Sequence, residues 1–238
     1  MQSIHVILPV KNSLDTTLQT IDSILNSDIQ IEYDFTVYND FSDEKTTQTL
    51  DLLSISKGFN LVNLSDITNH PSPNYLLILQ IAQQKAIAQN AHLLIVESDV
   101  LVKKDTLRIL YDQLKDIQNP ALVAAVTTDE EGEINFPYQY ALKMESGVVH
   151  TQKRLSFCCT LLTNSYLNAF DFKLLDPSKS WYDIFISHKA NELGFNNYLI
   201  TSCKVVHKPH SSRPWKKLKY SNPLKYYWQK LINRRDRI

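Results

Sequence analysis

Leu93-Leu94-Ile95-Val96-Glu97-Ser98-Asp99 decides the fold: a short, unbroken apolar run that stops in two acids separated by one residue. Four consecutive apolar residues bounded by polar ones fit a strand buried on both faces, the kind found at the centre of a parallel sheet. Working outward, the preceding segment 72–89 has helical period, and Asn90 is placed to stop it. Earlier still, Ile4–Leu8 and Phe35–Tyr38 read as strands one and two, with Phe59–Leu64 a weaker third. Between them Leu14, Leu18, Ile21 and Leu25 recur at spacings of four, three and four, which puts them on one face of a helix ending near Ser27. Thr46–Ile55 reads as the next helix. Strands alternating with helices predict an α/β sheet.

After Asn119-Pro120 the rhythm changes. Asp105 is expected to cap a helix reaching about Leu114, and Leu122–Val126 and Leu155–Leu162 read as strands. The stretch 134–151 has no clear period. A helix is expected over Tyr182–Leu193, closed by Gly194 in a left-handed conformation, followed by one or two strands between Asn197 and His207. The 238 residues suit one large domain, 1–212, in two halves over 1–101 and 102–212, with a basic appendage over 213–238.

Lysine plus arginine equals aspartate plus glutamate at 25 each, so the whole chain has no bias toward nucleic acid or an acidic partner. Three cysteines without C-x-x-C spacing, two of them adjacent, support neither a disulfide framework nor a zinc site, and reduced thiols are expected. No basic leader precedes Ile4, and no window approaches the ~20 apolar residues of a membrane span, so a cytoplasmic protein is expected.

In an open α/β sheet ligands gather at the carboxyl ends of the strands. Here those exits read Pro9-Val10-Lys11-Asn12, Asn39-Asp40-Phe41-Ser42-Asp43 and Glu97-Ser98-Asp99. Acids one residue apart on an extended segment point the same way and suit a hard divalent cation, although a parallel strand also needs a polar exit for purely structural reasons. With four glycines in the chain and no glycine-rich phosphate loop, phosphate must be handled by a cation.

Those motifs resemble the inverting glycosyltransferases of family two, which have the GT-A fold and use nucleotide-sugar donors. The likeness runs from Ile4 to Leu101 and returns between Trp181 and His207. It implies a Rossmann-like, mixed but mostly parallel sheet flanked by helices. Pro9 and Asn12 match the opening P-x-x-N, and Asp40 the carboxylate that reads the nucleotide base. Glu97 and Asp99 stand where the family carries D-x-D, so Asp99 would bind magnesium or manganese and Glu97 would face ribose or metal. Tyr182-Asp183 is similar to the E-D pair, which gives Asp183 the role of general base. His207 matches a late histidine that approaches metal or diphosphate. The chain departs from the pattern at Asn39, Ala82, Gln84, Glu97 and Tyr182. Read without the likeness, Asp183 would be an acid favouring a helix N-terminus, His207 a structural residue, and Tyr138, Tyr140 and Trp181 either core or a platform for a sugar.

The implied reaction is metal-assisted transfer of a sugar, with inversion, to a hydroxyl of a polysaccharide, lipopolysaccharide or lipid-linked glycan. UDP-sugars rank ahead of GDP- and dTDP-sugars as donor. A sugar-1-phosphate nucleotidylyltransferase and a non-catalytic scaffold are the alternatives. From Arg213 to Ile238 there are nine basic residues and one acid, and Leu224, Tyr227, Trp228, Leu231 and Ile232 fall on one helical stripe. Such a basic amphipathic helix suits the anionic inner face of a membrane, or it packs on the domain with its charges solvated. No nucleic acid is expected.

Overall fold

The computed structural model describes residues 2–208 and 222–232. The chain divides into two units after Lys208. The first unit contains, in order, β1 (Ile4–Val10), α1 (Leu14–Leu25), β2 (Tyr33–Asn39), α2 (Glu44–Lys57), β3 (Asn60–Asn63), α3 (Tyr75–Ala88), β4 (His92–Val96) and β5 (Val100–Leu101). There follow α4 (Thr106–Gln113), β6 (Pro120–Thr128), β7 (Val148–His150), β8 (Cys159–Leu162), α5 (Asn164–Ala169), α6 (Tyr182–Glu192) and β9 (Asn196–His207). The described part of the second unit is α7 (Pro223–Ile232).

The sheet order is β3-β2-β1-β4-β8-β6-β9-β5, with β7 paired to β9. β3, β2, β1 and β4 run parallel, as do β6 and β9, while β8 is antiparallel to both of its neighbours. The expected mixed, mostly parallel α/β architecture is therefore present, and β4 is central.

Period-two alternation divides the core into two layers. Ile7 of β1, Leu93 and Ile95 of β4, and Leu122, Ala124 and Val126 of β6 face α3, α5 and α6. Their alternates Val6, Leu8, Leu94, Val96, Val123 and Ala125 face α1, α2 and α4. This is why β1, β4 and β6 read as continuous apolar runs. Ala82, one of the departures from the family pattern, lies fully inside the first layer.

Two expectations need correction. The ladder of β8 begins at Cys159, not at Leu155. In the segment before it, Leu155 N–H donates to Ser187 Oγ and Ser156 N–H to the Tyr138 hydroxyl, so these donors are used outside any ladder. Asp105 occupies the cap position of α4 but makes no cap hydrogen bond. Its φ of −99° and ψ of −3° are turn-like rather than the extended conformation from which a capping side chain reaches back. The one or two strands expected between Asn197 and His207 are a single twelve-residue strand with Asn196, bent where Ile200 opposes Ala125 and Lys204 opposes Val126. Asn90 and Gly194, expected to end helices, have φ of 51° and 80°.

Candidate active site

The parallel strands bring their polar exits to one edge of the sheet. At the first of these, Asn12 has φ 56° and Phe41 φ 54°, and the two loops are sewn together. Asn12 N–H donates to Ser42 Oγ at 2.8 Å, Asn12 Oδ1 accepts from Asp43 N–H at 2.8 Å, and Lys11 Nζ donates to the Phe41 carbonyl. Asn12 thus fixes the loop, and Pro9 lies within β1. Asn39, where the family pattern has an acid, is buried and donates to Thr47 Oγ1 and Asn63 Oδ1 at 3.0 and 2.8 Å. An ionised carboxylate could not donate to Asn63 Oδ1, which favours the amide.

Asp40 is also buried, and its carboxylate accepts from Ser72 Oγ (2.7 Å), Asn74 N–H (2.9 Å) and Asn74 Nδ2 (2.8 Å). Three donors from one loop satisfy most of its acceptor capacity and tie the entry of α3 to the end of β2.

Past β4 the chain turns through Glu97-Ser98-Asp99 into β5, whose antiparallel pairing sets Val100 opposite His207. That register brings the end of β9 against the acidic turn. Lys208 N–H donates to the Asp99 carbonyl at 2.8 Å, and His207 Nε2 lies 3.5 Å from Asp99 Oδ2. His207 Nδ1 is 2.8 Å from the Phe136 carbonyl, which can only accept, so Nδ1 carries a proton and Nε2 faces the acids. Burial would lower the His207 pKa, but the hydrogen bond and charge of Asp99, the Phe136 carbonyl and the charge of Glu97 together raise it above 6.5. On the other side Glu97 N–H donates to the Cys158 carbonyl at 3.0 Å, and Cys158 Sγ donates to Glu97 Oε2 at 3.3 Å. Ligand atoms of Glu97, Cys158 and His207 all lie within 4.8 Å of one another. Carboxylate, imidazole and thiol at that spacing fit a divalent cation, with Asp99 at its margin.

Asp183 stands in the first turn of α6, 3.3 Å from Arg154 Nη1. Ser187 fixes this corner, its hydroxyl donating to the Asp183 carbonyl at 2.7 Å while accepting from Leu155 N–H at 3.0 Å. The Arg154 guanidinium sits 5.9 Å from the centre of the Trp181 ring and 6.0 Å from that of Phe136. Phe136 therefore touches both groups, through its carbonyl to His207 and its ring to Arg154. Tyr182, the other departure, is buried in the α3 layer. Tyr138 is core, exchanging hydrogen bonds with Ser156, whereas Tyr140 stays half-buried under Lys153. Cys158 and Arg154 were missed from sequence, and no spacing signal marks either.

The motif for glycosyl transferase family 2 matches residues 5–176. The chain belongs to that family. This family 2 chain has the fold of crystal structures that share little sequence with it. S. aureus TarS 1-349 matches at 17% identity and a TM-score of 0.64, over 87% of this chain and 60% of that one. The Pyrobaculum calidifontis mannosyltransferase PcManGT, in complex with GDP-Man and Mn2+, matches at 16% and 0.63, over 97% and 64%. GalNAc-T7 with UDP, GalNAc and Mn2+ matches at 12% and 0.64, over 87% and 44%. The chain thus spans about 60% of the TarS fragment's length. No protein of curated function matches it.

Proposed function

We propose that this family 2 glycosyltransferase moves a sugar from a nucleoside diphosphate donor to a hydroxyl of a glycan or lipid-linked glycan, with inversion. The observation that carries the reading is the meeting of Glu97, Asp99 and His207 at the strand exits, coupled through Phe136 to the Arg154–Asp183 pair. TarS has also been crystallised with UDP-GlcNAc and with UDP, which supports a UDP-sugar here.

Glu97, Asp99 and His207 would hold a magnesium or manganese ion, which would supply counter-charge to a leaving diphosphate. Asp183 accepts the proton of the attacking hydroxyl, whose own pKa lies far above 7. Arg154, 3.3 Å away, aims that carboxylate, and Trp181 offers a face to the acceptor ring. Asp40, with the loop over 70–74, frames the base, and Pro9 and Asn12 shape the floor beneath it.

Replacing Asp183 with asparagine keeps the shape and removes the base. Transfer is expected to fall about 10²- to 10⁴-fold while donor binding, read by calorimetry with manganese, stays unchanged. Parallel loss of donor binding would make Asp183 structural instead. A screen of nucleotide sugars for thermal stabilisation, with and without manganese, identifies the donor, because a bound ligand raises stability with its occupancy.

A further inference from the structure

The sulfur of Cys158 is aimed at polar groups. Sγ lies 3.3 Å from Glu97 Oε2 and 3.3 Å from Ser156 Oγ, and it belongs to the same 4.8 Å cluster as Glu97 and His207. Cys159 and Cys203 are buried too, but they lie outside that cluster. A buried cysteine ordinarily serves as a small hydrophobe. Two oxygen neighbours and an imidazole nitrogen around one sulfur instead make a mixed donor set, and a soft donor biases such a set toward thiophilic metals.

We propose that Cys158 is a ligand of the cation site and gives it a preference for zinc and cadmium over magnesium. This rests on the cation site described under the proposed function and adds to it a sulfur donor. On binding, the S–H bond breaks, its proton passes to solvent, and a sulfur–metal bond forms without change of oxidation state. Zinc and cadmium then occupy the site more tightly than magnesium, with manganese between them through Glu97, Asp99 and His207.

Cadmium titration of the reduced full chain tests this, because sulfur ligation produces an ultraviolet charge-transfer band. Manganese binding, followed by electron paramagnetic resonance, does not depend on sulfur. One equivalent of cadmium should generate the band in the wild type and in Cys159→Ser and Cys203→Ser. Cys158→Ser should abolish it and weaken cadmium binding about hundredfold, with manganese affinity changed far less. X-ray absorption of the zinc-loaded wild type should find sulfur bound to the metal, a measurement that needs no variant to fold. A band that survives Cys158→Ser, or zinc without a sulfur ligand, overturns the proposal. If manganese still binds in that case, the cation site itself stands; if neither metal binds, both fail.

Discussion

His5 and His92 are buried imidazoles that the site does not use, and both resist protonation. Burial and the positive charge of Lys85 lower His5 to about 4, against the opposing pull of Asp34, and burial alone lowers His92 to about 4. The geometry agrees for His92, because its Nδ1 accepts the Asn164 N–H at 3.0 Å and a proton there would set two donors face to face. An unfolded histidine takes up a proton below 6.5, whereas these do so only below about 4. The unfolded state therefore binds more protons between those values, and stability falls as pH drops through that window. Each histidine should contribute a slope of about 1.4 kcal/mol per pH unit. Asp34, whose pKa is lowered from 3.8, acts beneath the window. Urea unfolding in chelator at pH 7, 6, 5 and 4 should give this decline, and His92→Gln should flatten it by about half. A pH-independent midpoint would mean that the rings are not held neutral.

Gln83 fastens helix α3 to α5 and the segment after it, and Gln80 adds a bond to the Phe172 carbonyl at 3.3 Å. Gln83, buried on α3, donates through Nε2 to the carbonyls of Leu167 (2.8 Å) and Phe170 (2.6 Å), and its Oε1 accepts Phe172 N–H at 2.8 Å. Gln83→Met fills similar space yet leaves three backbone groups unpaired, so a loss of about 3 kcal/mol or more is expected from chemical denaturation. An unchanged midpoint would mean that water or a shifted backbone replaces the amide. Nothing in the sequence distinguishes Gln83 from the adjacent, exposed Gln84. By contrast β1, β4 and their exits were legible, because two buried faces require unbroken apolar runs and parallel strands gather their polar ends at one edge. Glu97 and Asp99 could be placed at a strand exit in advance for that reason, whereas His207 was named through the family likeness alone. Cys158 and Arg154 could not be named in advance. Cys158 reaches Glu97 through the antiparallel register that sets Val96 opposite Cys159, and Arg154 reaches Asp183 from an irregular segment. Leu155 and Phe157 made that segment look like strand, since an irregular run buried at 0% and 2% exposure is as apolar as a ladder.

Over the whole molecule, charge is separated along the chain. The first 212 residues hold 16 basic against 24 acidic side chains, and the last 26 hold nine against one. No helix of the described residues is long and apolar enough to cross a membrane. Within the second unit, α7 has Leu224, Tyr227 and Trp228 exposed at 86%, 56% and 64%, spaced by three and one, so they share one side of the helix. Lys216, Lys217, Lys219, Arg234, Arg235 and Arg237, with Trp215 and His210, lie outside the described residues, and only their order in sequence bears on the matter. Apolar area alone from three side chains binds weakly to a bilayer, and each nearby cation adds about 1 kcal/mol at an anionic surface, so for the chain to act at a membrane, as its sequence leads us to propose, charge would have to dominate. The full chain should then co-sediment with vesicles containing phosphatidylglycerol and not with pure phosphatidylcholine. Binding should weaken steeply as salt rises and the screening length contracts. Leu224→Glu with Trp228→Glu should lower it at least about tenfold while thermal stabilisation by nucleotide sugar and manganese persists. Equal binding to both vesicle types, or no effect of the double substitution, would leave α7 without a membrane role.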